Sequence, residues 1–205
     1  MKRFIIIIVL IAIGIGLYFY FERTPQVQYE KPNVPRPVGA NSTASIVVKE
    51  FSDFQCPACG AAHPMVKNIL AEFNNDIRFE LYHFPLISIH PYAFDAALSA
   101  ECANDQGKFW DMANTLFENQ TSLLPTDLKV YAENIGLDQV KFNACLDSRA
   151  HRDRVNDDIK QGNALGVDST PTFFLNGQKV ADWSALPGLI QMEINRKKAE
   201  AEQKK

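Results

Sequence analysis

The sequence predicts an α/β fold in which a β-α-β unit and a β-β-α unit flank a helical block, preceded by an N-terminal transmembrane helix. Three observations lead there. Short runs rich in β-branched and aromatic residues at 45–51, 77–84 and 171–180 have strand character. The stretch between them, about 90–165, places its apolar residues at helical intervals. One uncharged apolar run, Phe4 to Phe21, stands behind Lys2 and Arg3. The chain of 205 residues suits one domain plus appendages. Its composition, 46% hydrophobic and 22% charged, is that of a globular protein. A net charge of −3 argues against a nucleic-acid partner, which would call for a basic patch.

As a helix, Phe4–Phe21 would span roughly 27 Å, close to the thickness of a bilayer core. Tyr18 and Tyr20 suit a membrane interface, so residues 1–21 are read as an uncleaved signal anchor. A cleaved signal peptide is the competing reading, since Gly14-Ile15-Gly16 offers a small-x-small site. Lys2 and Arg3 should stay in the cytoplasm, which puts the rest of the chain in the envelope, outside the cytoplasm, where disulfides persist. Residues 22–43 carry Pro25, Pro32, Pro35 and Pro37 among polar residues and read as an extended linker.

The folded domain is expected at 44–199. "SIVVKEF" (45–51) reads as a buried strand, and "AAHPMVKNILAEF" (61–73) as a helix with Met65, Ile69 and Phe73 on one face. "IRFELYHF" (77–84) closes the β-α-β unit. In the helical block, Phe94, Leu98 and Cys102 share a face, as do Phe109, Met112 and Phe117, and Leu128, Tyr131 and Ile135. Gly107, Gly136 and Gly166 mark helix stops, with Thr126 and Asp138 as N-caps. "PTFFLNGQKV" (171–180) reads as a hairpin around Asn176-Gly177. A final helix runs from about Ser184 to Ala199, and 200–205 form a charged tail. The apolar "FPLISI" (84–89) is expected to pack under the helices, and His83 and His90 to be satisfied structural histidines.

"FSDFQCPACG" (51–60) carries the chemistry. Two cysteines three positions apart can bind zinc, close a small ring, or cycle between dithiol and disulfide. Zinc usually takes four ligands, and beyond Cys56, Cys59 and His63 no fourth is evident, so no metal is expected. A structural ring across three residues would stabilise little. Redox cycling fits the placement. A cysteine at a helix N-terminus meets unpaired N–H groups and the positive end of the helix dipole, which favour the thiolate. Cys56 is therefore the expected attacking sulfur and Cys59, one turn inward, the shielded resolving one. Pro57 suits the first helical turn. Pro171 in "STPTFF" opens a strand and could form a cis bond after Thr170 or an ordinary trans one.

Cys102 and Cys145 each lie on an apolar face of the helical block, Cys102 with Phe94 and Leu98, Cys145 with Phe142 and Leu146. Such faces pack together, so a structural disulfide is expected in an oxidising compartment. Two buried free thiols are the alternative.

Together "FSDFQCPAC" after a strand, the helical insertion and "TPTFFLNG" before the closing hairpin resemble the thioredoxin superfamily and, within it, the DsbA-like thiol–disulfide oxidoreductases. The resemblance covers roughly residues 44–199 and implies a thioredoxin-like fold with an insertion at about 90–165. It implies Cys56 as nucleophile, Cys59 as resolving cysteine, Pro171 as the cis-proline with Thr170 before it, and Glu50 as a buried acid that relays protons to the inner thiol. A Lys49–Glu50 structural pair is an equal alternative for Glu50. The resemblance implies that no separate cofactor is needed, that the substrates are unfolded or reduced secreted proteins, and that a membrane partner reoxidises the enzyme. The dipeptide between the cysteines is Pro-Ala where the strongest oxidants carry Pro-His, so an oxidase, a reductase or isomerase, and a non-catalytic binding module all stay open. N-terminal sequencing of the membrane-extracted protein should find residues 1–21 retained; a chain beginning at Leu17 would show a cleaved signal peptide instead.

Overall fold

A computed structural model of the protein describes residues 29–203. The expected transmembrane helix, 4–21, lies outside them. No helix among the described residues is long and apolar enough to cross a membrane.

Strands β1 (Val38–Ala40), β2 (Ile46–Ser52), β3 (Ile77–His83), β4 (Thr172–Leu175) and β5 (Gln178–Lys179) form one sheet in the order β1-β3-β2-β4-β5. β2 pairs parallel with β3, and every other pair is antiparallel. A parallel pair needs a crossover, and α1 (Pro57–Glu72) supplies it. Of the predicted face, Ile69 is buried, Phe73 is buried just beyond the helix and Met65 is half-buried, while Val66 is buried beside them. The insertion between β3 and β4 holds α2 (Ala93–Asn104), α3 (Phe109–Glu118), α4 (Pro125–Asn134), α5 (Gln139–Asp147) and α6 (Arg152–Ala164). A 3-10 turn at Trp183–Ala185 leads into α7 (Leu186–Gln203).

The central strand β2 divides the core. Ile46 and Val48 join α1, the helices of the insertion and Ile190 and Ile194 of α7 in the larger apolar cluster. Phe51 faces the other way, into a smaller cluster with Tyr82, Phe84, Val167 and Phe174. Gly162 lets α6 lie close on that second face: a Cβ there would stand 2.6 Å from the Phe84 ring. Cys102 of α2 and Cys145 of α5 are joined by a disulfide, both sulfurs buried. Among the described residues, Cys102, Cys145 and His151 bring metal-type donor atoms within 4.8 Å of one another. The two sulfurs are bonded to each other, and the His151 ring meets Asp105 at 2.6 Å.

Several boundaries depart from the sequence reading. Part of the expected linker joins the domain, as β1 on the edge of β3. The preceding residues are strapped to the insertion: Arg154 donates to the Val34 carbonyl at 2.8 Å and Asn104 to that of Pro35 at 3.1 Å. The Arg36 guanidinium pairs with the buried Asp158 carboxylate. Proline content described that segment's local stiffness, while a buried carboxylate that needs a cation decided where it lies. Helix α4 is capped at Leu124, not Thr126, because Pro125 takes the first helical position and the Asp127 carboxylate accepts the Leu124 N–H at 3.0 Å. Asp138 caps α5 by accepting the Lys141 N–H at 3.1 Å. The final helix continues to Gln203, so residues 200–203 of the expected charged tail are helical; Arg196 pairs with Glu193 and Glu200 on adjacent turns. Ile87 and Ile89, expected under the helices, are 63% and 67% exposed.

Replacing Cys102 and Cys145 together with alanine should lower unfolding stability by about 2–5 kcal/mol. Denaturant titration of oxidised wild type against the double variant measures it, and equal midpoints would mean that the bridge constrains nothing.

Candidate active site

The paired cysteines sit where β2 ends and α1 begins. Asp53 shapes the turn: one carboxylate oxygen accepts the Gln55 N–H at 2.7 Å, and its carbonyl accepts the Cys56 N–H at 3.1 Å. Its other oxygen holds the Leu86 N–H and the His90 ring, each at 2.8 Å. Cys56 is then the N-cap of α1, with Pro57 at the first helical position. Cys59 lies inside the first turn.

Both cysteines are free thiols, 7% and 0% exposed for Cys56 and Cys59. The Cys56 thiol donates to the Thr170 carbonyl at 3.4 Å. That carbonyl precedes Pro171, and the Thr170–Pro171 bond is cis. Tertiary folding has thus set the start of β4 against the start of α1. The Thr170 hydroxyl is buried with no partner of its own, so it is free to donate to a sulfur anion.

The two thiols titrate in opposite directions. Cys56 is pulled down to about 5 by the hydrogen bond from Cys59, helped by Thr170 and by the backbone N–H groups of Cys59 and Ala58. Burial raises Cys59 far above the usual thiol range, reinforced by its bond to Cys56 and the nearby Glu50 carboxylate. Glu50 is only 2% exposed, and burial pushes it up to about 7 against a weaker opposing bond from Ser52. It is close enough to Cys59 to act on it electrostatically.

The Lys49–Glu50 pair does not form. Neighbouring residues on a strand point to opposite faces. Lys49 reaches Glu80 at 3.9 Å on the far side of the sheet, so Glu50 is left with the cysteines. His83 is fully buried and bonds Glu101 at 3.0 Å. His63 meets Asn114 at 2.8 Å and is no partner of the sulfurs. Asp53 and Ser52 escaped the sequence reading. Asp53 had a signal, the aspartate two residues before Gln55 that starts an Asx-turn, whereas Ser52 had none.

A mixed sheet with a dithiol at the N-terminus of the helix after its central strand, opposite a cis-proline, defines a thioredoxin-type site. The family model described as thioredoxin matches residues 33–192, and the chain belongs to that family. Among solved structures, BdbD from Bacillus subtilis superposes with a TM-score of 0.70 at 21% identity, over 82% of this chain and 99% of that one. The thiol-disulfide exchange protein alpha-DsbA2 from Wolbachia pipientis gives 0.67 at 20% identity, over 77% and 86%. The thioredoxin-like fold with its helical insertion is thus shared with these solved structures. Among curated sequences, the Na(+)/H(+) antiporter NhaA 1 of Salinispora arenicola is 43% identical over 136 residues, which are 66% of this chain and 21% of the antiporter. NhaA 1 of Mycolicibacterium vanbaalenii is 38% identical over 159 residues, 75% of this chain and 25% of that protein. The chain therefore spans about a fifth to a quarter of the length of these curated relatives.

Alkylation of the reduced protein at pH 6 should label Cys56 and leave Cys59 untouched; preferential labelling of Cys59 would reverse the assignment. Glu50 makes a second prediction. With its folded pKa raised from 4.5 to about 7, the protonated carboxyl contributes stability below pH 4.5 that is lost as the pH rises through 7. Glu50→Gln should therefore be more stable than wild type at pH 8, by up to about 3 kcal/mol, with the gain vanishing toward pH 4.5. A gain independent of pH in denaturant titrations would place the effect elsewhere.

Proposed function

We propose that this protein is a thiol–disulfide oxidoreductase that works as a dithiol oxidase, introducing disulfides into secreted or envelope proteins. The observation that carries the reading is the Cys56 thiol at the N-cap of α1, pulled down to about 5 and facing Thr170. A stable Cys56 thiolate stabilises the dithiol form, so the disulfide form gives up its oxidising equivalents readily.

In the proposed cycle a substrate thiolate attacks Cys56 of the Cys56–Cys59 disulfide. The S–S bond breaks, a mixed disulfide forms, and Cys59 leaves with the electron pair. Glu50, protonated near neutrality, supplies the proton that the buried Cys59 thiolate cannot do without. A second substrate thiolate then attacks the substrate sulfur of the mixed disulfide, and Cys56 leaves as the stabilised anion. The substrate loses two electrons and two protons. The Thr170 backbone beside the cis bond forms the docking edge for the substrate chain, with Pro171 holding it in place.

The same reading places the domain on the extracytoplasmic side of the envelope, held to the membrane by residues 4–21, with a membrane partner accepting electrons from the dithiol. Antiport belongs to the longer relatives as whole proteins. Direction separates the proposal from a reductase or isomerase, and reactivity separates it from a binding module.

Equilibration of the Cys56–Cys59 pair with glutathione tests the direction. A potential above about −200 mV is expected, against roughly −270 mV for a thioredoxin-type reductant. A value at or below the reductant's would overturn the oxidase reading. Cys59→Ser should accumulate mixed disulfides with reduced substrate proteins; a variant that traps none would favour the binding module.

A further inference from the structure

Gln120 lies in the loop between α3 and α4, within the insertion, 64 residues from the first redox cysteine. Its carboxamide nitrogen donates to two backbone carbonyls, Phe54 at 2.9 Å and Cys56 at 2.8 Å. Both hydrogens of the amide are committed to the segment that carries the nucleophile. The contact is reinforced from below, where Phe117 of α3 meets the Phe54 ring with 4.8 Å between centroids.

A second, independent observation concerns Gly60, inside α1. Its φ is not of the left-handed kind, and glycine is a poor residue in a helix. Close approach accounts for it: a Cβ at this position would stand 2.1 Å from the Gln120 side-chain oxygen. Any side chain here would push Gln120 off the carbonyls. The helix accepts an unfavourable residue at the one place where the amide needs room.

The Cys56 carbonyl has two lone pairs. One accepts the Gly60 N–H at 3.1 Å, the first hydrogen bond of the helix. The other is taken by Gln120. With both engaged, the peptide plane between Cys56 and Pro57 cannot turn. The first turn is then held with the N–H groups of Ala58 and Cys59 directed at the Cys56 sulfur.

We propose that Gln120 is a positioning residue for thiol–disulfide exchange, a latch by which the helical insertion holds the Cys56 backbone so that the helix N–H groups stay on the attacking sulfur. The inference rests on the reading of Cys56 as the nucleophile. Gln120 touches neither sulfur nor substrate and acts through the main chain. It also makes the insertion part of the redox centre: a displacement of the α3–α4 loop would loosen the latch and weaken the thiolate.

Three single variants and one double variant of the full chain test this, with the thiolate absorbance of Cys56 followed against pH and unfolding stability measured in parallel. Gln120→Glu keeps the size of the side chain but removes both donors and turns an anion toward two carbonyl oxygens. It should raise the Cys56 midpoint by about one pH unit, a tenfold loss of thiolate below the midpoint. Gln120→Ala should move it the same way by a smaller step. Gly60→Ala is favourable to helix formation, yet by displacing Gln120 it should raise the midpoint as Gln120→Ala does. The double variant Gly60→Ala/Gln120→Ala should show no rise beyond that of either alone. Variants that all titrate with wild type, on a lowered wild-type midpoint, would overturn the latch and leave the proposed function standing. Additive shifts in the double variant would also overturn it. A wild-type Cys56 that titrates as an ordinary thiol would overturn both readings.

Discussion

The unpaired N–H groups at the start of α1 are the constraint on which the site depends. They must point at something, and the Cys56 sulfur is the group set in front of them. Asp53 bends the chain out of β2 so that the helix begins there, and Pro57 takes the position where a missing N–H costs nothing.

Burial does the opposite work a turn further in. Cys59 and Glu50 are both removed from water, and each resists ionisation. Two groups that hold protons thus stand behind one that releases its proton readily. The two sulfurs thus differ in charge, the outer one ionising readily while burial holds the inner one protonated. A buried carboxyl is costly in folding terms, and its place on the middle strand, beside the inner thiol rather than against Lys49, follows from the two-residue period of the strand.

The insertion is tied down by buried polar pairs as well as by apolar contact. His83 with Glu101, His151 with Asp105 and Arg36 with Asp158 all lie at seams between α2, α6, β3 and the N-terminal strap. Removing Arg36 would leave the buried Asp158 carboxylate without its cation, which fixes where the strap meets α6. The Cys102–Cys145 bridge adds a covalent tie between α2 and α5. The loop that carries Gln120 therefore rests on a braced block. Of the apolar run 84–89, Phe84 is buried beside Phe51 and Gly162, while Ile87 and Ile89 are exposed on a segment that Asp53 holds through the Leu86 N–H and the His90 ring.

The sequence by itself determined the order of elements, the dithiol and its place at a strand-to-helix junction, and the turn at Asn176-Gly177. These are local: period, glycine and proline chemistry, and cysteine spacing act within a few residues. It also held the apolar faces of Cys102 and Cys145, because a helical face is readable from its period. Only the tertiary structure decided the rest. It turned Glu50 toward Cys59 and Lys49 away, made Thr170–Pro171 cis against Cys56, drew residues 38–40 onto the sheet edge and brought Gln120 to the Cys56 carbonyl. Each of these joins residues far apart in the chain, through hydrogen bonds or charges whose partner cannot be named until both ends are in place.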